Sequence, residues 1–147
     1  MKRRFWYWIT DALAAAALLG ATIFVLVRWQ SIPAQVPVHF GAGGEITNYG
    51  SKENSLGLLL VLSWVLFVST LVLSFFPESW NIPRRTPRAY RAAGDGMAVL
   101  RFVLALFFVC LELCTALCRG LPVWILPALA VTVGGGLAYM LIQGFRR

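Results

Sequence analysis

The sequence predicts an all-α integral membrane protein, a four-transmembrane-helix bundle with both termini cytoplasmic and a short ordered outer loop. Three observations predict this fold. The 147 residues are 59% hydrophobic and 13% charged, with a mean hydropathy of +0.74, whereas about 25% of the residues in soluble domains are charged. Four apolar segments are long enough to cross a hydrocarbon core of roughly 30 Å. The basic residues fall mostly on one side of these segments.

The four predicted spans differ in how clearly the sequence defines them. The second and fourth contain no charged residue. The first includes Arg28 near its end, where a long side chain can extend toward the lipid headgroups, and the third is interrupted by Arg101 and Glu112. The first apolar run exceeds the core of a secretory signal, so we expect it to be retained as an anchor. The predicted spans are 7–29, 55–77, 97–118 and 121–144, with an outer loop at 30–54 and a basic cytoplasmic loop at 78–96.

The distribution of bases predicts the orientation. Ten of the thirteen lie on one side of the spans: Lys2, Arg3, Arg4, Arg84, Arg85, Arg88, Arg91, Arg101, Arg146 and Arg147. The other side has Arg28, Lys52 and Arg119. Positive loops stay on the cytoplasmic side, which places both termini inside a bacterial plasma membrane. Orientation and attraction to anionic lipids explain the net charge of +7, so no nucleic-acid partner is predicted. A cytoplasmic protein docking at Arg84–Arg91 is the alternative use of this basic loop.

Small residues predict where the helices approach one another. They recur every four positions on two spans, as Ala12, Ala16 and Gly20 on the first and Ala130, Gly134 and Ala138 on the fourth. Such stripes allow close helix packing in lipid. We expect them to form grooves within the bundle, and a homodimer face is the alternative. The connection at Arg119 and Gly120 is very short, which makes the third and fourth helices an antiparallel hairpin.

Polar residues within the third span form one stripe, at Arg101, Ala105, Phe108, Glu112, Thr115 and Arg119. A charge facing lipid is costly, so this stripe should face the bundle interior or a wet cavity. By depth, we expect Asp11 to pair with Arg101, and Glu112 to pair with Arg28 or a group from the outer loop. These intramembrane candidates are structural ion pairs or, alternatively, part of a proton or ligand pathway.

The sequence contains no signature of an enzyme, a metal site or a cofactor site. Cys110, Cys114 and Cys118 form a second stripe on the third helix, roughly opposite Glu112, and no histidine lies within the span. We interpret them as small buried hydrophobes. No catalytic, phosphate-binding or nucleotide-binding motif occurs, so neither enzymatic activity nor a cofactor is predicted.

The outer loop is much longer than the roughly 2–8 residues that usually join helices in a bundle. Apolar residues alternate over 36–40, glycines at 41–44 supply a turn, and 45–49 can return as a second strand. These features predict a small β-hairpin that caps the outer end of the bundle. His39, Glu45, Tyr49 and Lys52 would hold it as a polar latch. A metal site at His39, Glu45 and Glu53 would require all three to converge, and their spacing matches no known ligand pattern.

This loop also resembles a known family. The segments Ile32-Pro33, Val36-Pro37-Val38-His39-Phe40, Gly44-Glu45 and Tyr49-Gly50-Ser51-Lys52, followed by Pro77, Asn81 and Tyr90, are similar to the N-terminal membrane domain of SdpI-type bacterial immunity proteins, catalogued as a domain of unknown function. The resemblance implies protection against a secreted toxic peptide and recruitment of a cytoplasmic repressor. SdpI-type proteins carry further helices, whereas four spans are predicted here. The candidate binding residues of the loop are Pro37, His39, Phe40, Gly44, Glu45, Tyr49, Gly50 and Lys52.

Three functional hypotheses follow. The first is a non-enzymatic membrane protein that senses or resists an envelope-active peptide, or binds a partner, through its outer loop. The second is a small oligomeric transporter or proton-coupled carrier that uses Asp11, Arg101 and Glu112. The third is an accessory subunit of a membrane complex. Lys52 and Arg28 could also bind anionic lipid headgroups.

Overall fold

The computed structural model describes residues 4–82 and 86–145, which form four long helices and one small antiparallel sheet. All four helices are long and apolar enough to cross a membrane. The protein is therefore a mostly helical, multi-pass membrane protein with a two-stranded sheet, as the sequence predicts. In chain order the elements are α1 (Phe5–Val27), β1 (Gln35–Phe40), β2 (Ile46–Ser51), α2 (Lys52–Leu73), α3 (Pro87–Ala116) and α4 (Ile125–Phe145).

The third helix begins ten residues before its predicted start, and this corrects the loop predicted at 78–96. Thr86 caps the helix by accepting a hydrogen bond from the Ala89 amide at 3.2 Å. Pro87 occupies the first turn, where its missing amide hydrogen costs nothing. The predicted start is too late because hydropathy identifies only the apolar part of a helix. Here the helix continues past that part through Arg88, Arg91 and Asp95.

The connection between α3 and α4 is also longer than predicted, because α3 ends at Ala116 and α4 begins at Ile125. Cys118 has a positive φ of 50°, which turns the chain away from the α3 axis. The Arg119 amide still donates to the Cys114 carbonyl at 2.9 Å. Eight residues therefore separate two helices that nevertheless pack side by side as the predicted hairpin.

The β-hairpin lies between α1 and α2, where the sequence predicts it. Its register pairs Val36 with Gly50 and Phe40 with Ile46, with irregular pairing around His39. A short 3₁₀ turn over Trp29–Ser31 leads into it. We call the end of the bundle that carries this sheet the hairpin end, and the opposite end, where α1 and α3 begin, the terminal end.

Helix α3 is the centre of the bundle, because α1, α2 and α4 all pack against it. Its contact surface is built from small buried residues: Ala89, Ala92, Ala93, Gly94, Gly96, Ala98 and Ala105. A β-carbon at Gly94 would lie 3.1 Å from the Tyr7 hydroxyl of α1, and one at Gly96 would collide with Met140 of α4. Close packing in this protein therefore depends on the small residues of α3.

The predicted small-residue grooves on α1 and α4 are wrong, because those six residues are exposed. The buried face of α1 contains Asp11, and along the same face lie Ala14, Leu18, Ala21 and Val25. The period of 3.6 residues per turn turns the other stripe, which contains Gly20, away from α3. A face between two copies of the chain stays a prediction.

Candidate functional site

The polar stripe of α3 faces the bundle interior as predicted. Arg101, Ala105, Glu112 and Thr115 are all buried. Phe108 packs at the edge of the core formed by Ala14, Leu18, Phe67 and Ala105. Arg119 does not belong to the stripe, because the helix has ended before it and its side chain is exposed. Within the apolar part of α3, the two charged residues, Arg101 and Glu112, therefore lie inside the bundle.

The predicted pairing of Asp11 with Arg101 is confirmed. The Arg101 Nη2 and Nε atoms lie 2.6 and 2.8 Å from Asp11 Oδ1, and Nη1 donates to the Thr70 carbonyl at 3.0 Å. Both charged side chains are almost inaccessible, at 2% and 8% exposure. A single guanidinium therefore joins α3 to α1 through an ion pair and to α2 through a backbone carbonyl. This arrangement favours the structural interpretation of the pair.

The predicted partner of Glu112 is wrong. Its Oε1 atom accepts a hydrogen bond from Ser63 of α2 at 2.6 Å, and its Oε2 atom has no hydrogen-bond partner among the described residues. Arg28 is exposed at the end of α1, with its guanidinium 5.5 Å from the centre of the Phe24 ring. The sequence shows Ser63 only as a polar residue within an apolar span. Which face of α2 it occupies depends on how that helix packs.

The predicted polar latch reduces to Lys52. Its amine donates to the carbonyls of Trp29 and Ile32 at 2.9 and 3.1 Å and lies 5.2 Å from the centre of the Trp29 ring. The side chain is buried, so Lys52 binds the chain ahead of β1 instead of the lipid headgroups predicted for it. His39, Glu45 and Tyr49 are exposed and make no such contact with the described residues.

We expect Lys52→Met to lower the free energy of unfolding by about 2 kcal/mol, because it leaves the buried Ile32 carbonyl and the partly buried Trp29 carbonyl without their charged donor. Glu53→Gln is the matched control, since Glu53 is the exposed next residue. Amide hydrogen exchange of the purified protein should accelerate around Ile32 in Lys52→Met only. Equal exchange in the two variants would show that Lys52 does not hold this segment.

Gly44 fixes the tip of the hairpin to the connection between α3 and α4. Its carbonyl accepts a hydrogen bond from the Leu121 amide at 2.8 Å, and its φ of +84° is one that side chains rarely adopt. A β-carbon there would collide with the Leu121 carbonyl oxygen. Only glycine satisfies both the conformation and the close approach. The predicted loop residue Gly44 therefore has a positioning role.

A groove lies beneath the docked hairpin. Its volume is about 450 Å³, within the range of roughly 300–1,000 Å³ typical of ligand sites. Strand β1 forms one wall, α3 forms another, and α2 and the beginning of α4 contribute side chains on either side. The lining residues are Pro37, Val38, His39, Phe40, Ser55, Leu59, Phe107, Leu111, Thr115, Leu121 and Leu126. The groove is thus mainly apolar, with a histidine and two hydroxyl groups.

The structure separates the eight loop candidates by role. Pro37, His39 and Phe40 line the groove. Gly44 and Lys52 hold the hairpin in place, and Gly50 packs tightly, since a β-carbon there would lie 2.8 Å from a Val38 methyl group and 3.0 Å from the Ser55 hydroxyl. Glu45 and Tyr49 are exposed outside the groove.

A polar cluster at the terminal end was missed by sequence reasoning. The Tyr7 hydroxyl donates to Asp95 at 2.6 Å, and Arg4 forms an ion pair with the same carboxylate at 3.3 Å. This joins the beginnings of α1 and α3. Asp95 falls within the loop predicted at 78–96, so its depth and partners cannot be inferred from the sequence. Arg84 and Arg85 of the predicted cytoplasmic partner surface lie outside the described residues.

Metal ligation has no geometric support in residues 4–82 and 86–145, where no three His, Cys, Asp or Glu residues converge. The three cysteines are free and half-buried. Those at 110 and 114 lie with their sulfur atoms 4.0 Å apart. They pack partly within the bundle, consistent with small hydrophobes.

Fold and site together define a multi-pass membrane protein with a hairpin-capped groove. Residues 16–63, about a third of the chain, match a family described as a domain of unknown function (DUF1648). This segment covers the second half of α1, the hairpin and the first half of α2. The chain is also 36% identical to an uncharacterized protein of Archaeoglobus fulgidus over an alignment of 78 residues, which covers 48% of this chain and 42% of that relative. No solved structure matches the sequence.

Proposed function

We propose that this protein is a non-enzymatic plasma-membrane protein that binds an envelope-active peptide in the hairpin-capped groove. The observation that carries the proposal is the groove itself, an apolar site built partly from Pro37, His39 and Phe40 of the loop motif. The resemblance of this motif to SdpI-type immunity proteins supports a peptide as the occupant. Binding there would sequester the peptide and provide immunity or sensing.

The distribution of basic residues along the sequence supports an orientation with the hairpin outside and both termini in the cytoplasm. Arg101 drops out of the count because it is buried against Asp11, and Lys52 drops out because its amine binds carbonyls. Nine bases then belong to the terminal end by sequence, and two, Arg28 and Arg119, to the hairpin end. The asymmetry is larger than the sequence count suggested, and in this orientation a secreted peptide meets the hairpin first.

The form of the groove suits an amphipathic peptide. Leu59, Leu111 and Leu126 come from three different helices and would contact apolar side chains of a ligand. His39 is exposed at the edge of the groove and can hydrogen-bond a polar group that stays near the headgroups. A peptide that is partly inserted in the membrane presents both kinds of surface.

Filling the groove tests the proposal. We expect Leu111→Trp to weaken peptide binding and to abolish protection, because the larger ring occupies part of the groove. Leu106→Trp is the control, since Leu106 lies on the same helix and is 42% exposed outside the groove. Cells producing either variant would be challenged with a panel of envelope-active peptides. Peptides to which the two variants give different sensitivity would then be titrated against the purified protein in nanodiscs.

Two outcomes would contradict this function. One is equal sensitivity of producing and non-producing cells to every peptide of the panel. The other is equal binding by the Leu111 and Leu106 variants. A stable complex recovered from native membranes with both variants would instead favour an accessory subunit.

A further inference from the structure

Glu112 is a buried carboxyl group that pairs with no cation among residues 4–82 and 86–145. Its side chain has no exposed surface, and its Oε2 atom lacks a hydrogen-bond partner in the part of the chain that the structure describes. An uncompensated charge at membrane depth is costly. Asp11, which lies on α1, differs because its charge is met directly by Arg101.

No charged residue from any helix lies at the depth of Glu112. Helix α1 has none from Ala12 to Val27, α2 has none after Glu53, and α4 has none from Ile125 to Gln143. On α3 itself Arg101 is eleven residues away, about 16 Å along the axis, and is already paired. The titratable groups nearest in sequence are Cys110 and Cys114, whose sulfur atoms lie beside each other.

The remaining charged groups at the hairpin end do not neutralise Glu112 either. Lys52 is bound to two carbonyls, and the side chains of Arg28 and Arg119 are exposed. Glu53 and Glu45 are exposed acids of the same end. A proton is therefore the simplest cation that can accompany the Glu112 carboxylate in its buried position.

The hydrogen-bond geometry around Ser63 provides a place for that proton. The Ser63 hydroxyl oxygen lies 2.9 Å from the Leu60 carbonyl and 2.6 Å from Glu112 Oε1. A hydroxyl group has one hydrogen, so it cannot donate to both oxygens. If Glu112 is protonated, it donates to Ser63, and Ser63 donates to Leu60. If Glu112 is ionised, the Ser63 hydrogen turns to the carboxylate.

Two cavities flank this pair. Toward the terminal end lies a cavity of about 10 Å³, a volume comparable to that needed for one water molecule. Its polar lining residues are Ser63, Thr70 and Arg101, and the other five are apolar. Toward the hairpin end, Thr115 lines the groove one helical turn from Glu112. Polar groups therefore lie on either side of Glu112 along the α2–α3 contact.

We propose that Glu112 is a proton-binding site in the membrane interior, with Ser63 as its hydrogen-bond relay. A proton adds to the carboxylate to form the neutral acid, and the Ser63 hydroxyl turns from the carboxylate to the Leu60 carbonyl. Release reverses both changes. This site goes beyond peptide binding and does not depend on it, since the groove lining does not include Glu112.

Labelling with a membrane-soluble carbodiimide tests the proposal. Such a reagent adds to a protonated carboxyl group, and rearrangement of the adduct gives a stable N-acylurea without a leaving group. Mass spectrometry of the full chain in nanodiscs should locate the label on Glu112 and not on Asp11. Labelling should fall at least tenfold as the pH is raised through the titration of Glu112, and Glu112→Gln should abolish it.

A second measurement tests the proposal even if the carbodiimide cannot reach the buried Glu112 side chain. The infrared difference spectrum between acidic and alkaline conditions should contain the carbonyl band of a protonated carboxylic acid that is lost in Glu112→Gln. Ser63→Ala should shift this band, because the neutral acid loses its hydrogen-bond acceptor. A spectrum in which wild type and Glu112→Gln have identical bands at every pH would overturn the proposal. That result would leave peptide binding at the groove untouched.

Discussion

Replacing Arg101 with methionine is expected to cause a large loss of stability. The substitution leaves the Asp11 carboxylate buried without its cation and removes the donor to the Thr70 carbonyl. Removing one partner of a buried ion pair costs about 3–5 kcal/mol, a large share of the 5–15 kcal/mol that stabilises a typical domain. We expect little folded protein to be recovered from membranes.

Arg91→Met is the matched control for this experiment. Arg91 lies on the same helix, but its side chain is exposed, so its loss should change stability by less than about 0.5 kcal/mol. The measurement is the midpoint of thermal unfolding in detergent, together with the yield of monodisperse protein.

Exchanging the two charges distinguishes the ion pair from general packing. We expect the double variant Asp11→Arg, Arg101→Asp to be more stable than either single change, because each single change places two like charges together. Recovery should be incomplete, since aspartate cannot donate to the Thr70 carbonyl. If the double variant is no more stable than the single ones, the pair does not hold the helices together.

Gly44→Ala is expected to release the hairpin from the bundle. The positive φ of +84° makes alanine unfavourable by about 1–3 kcal/mol, and the added β-carbon would collide with the Leu121 carbonyl. The hydrogen bond from the Leu121 amide to Gly44 should then be lost. Because the hairpin forms one wall of the groove, peptide binding should fall with it.

Gly43→Ala provides the control for Gly44→Ala. A β-carbon at Gly43 would meet only the end of the Glu45 side chain, at 2.8 Å, and that exposed side chain can move. Amide exchange at Leu121 should be roughly 5- to 30-fold faster in Gly44→Ala, as expected for a loss of one or two kcal/mol, and unchanged in Gly43→Ala. Unchanged exchange in both variants would mean that this contact does not dock the hairpin.

Much of the fold could be predicted because it depends on local patterns. Uncharged runs define α2 and α4, and the alternation before the glycines at 41–44 defines the hairpin. The pairing of Asp11 with Arg101 was also predictable, because the sequence places both residues at a similar depth in the membrane and a buried charge requires a partner. The early start of α3 was not, because hydropathy does not report the part of a helix that extends beyond the apolar segment.

The site itself was less predictable, because its contacts depend on how the helices rotate and where loops dock. Ser63 reaches Glu112 only through the rotation of α2 about its axis. Gly44 and Leu121 are far apart in the sequence, and no local pattern around either residue predicts their contact. Stripes of small residues look alike in a sequence, which is why α1 and α4 were assigned packing faces that α3 provides.

The contact between Asp11 and Arg101 has a consequence for how the chain is made. The two residues are 90 positions apart, so the first helix leaves the ribosome long before its partner is synthesised. During that interval the Asp11 carboxylate lacks the Arg101 guanidinium with which it pairs in the folded bundle. We therefore expect the first helix to reach its final depth in the bilayer only when the third helix has been inserted beside it.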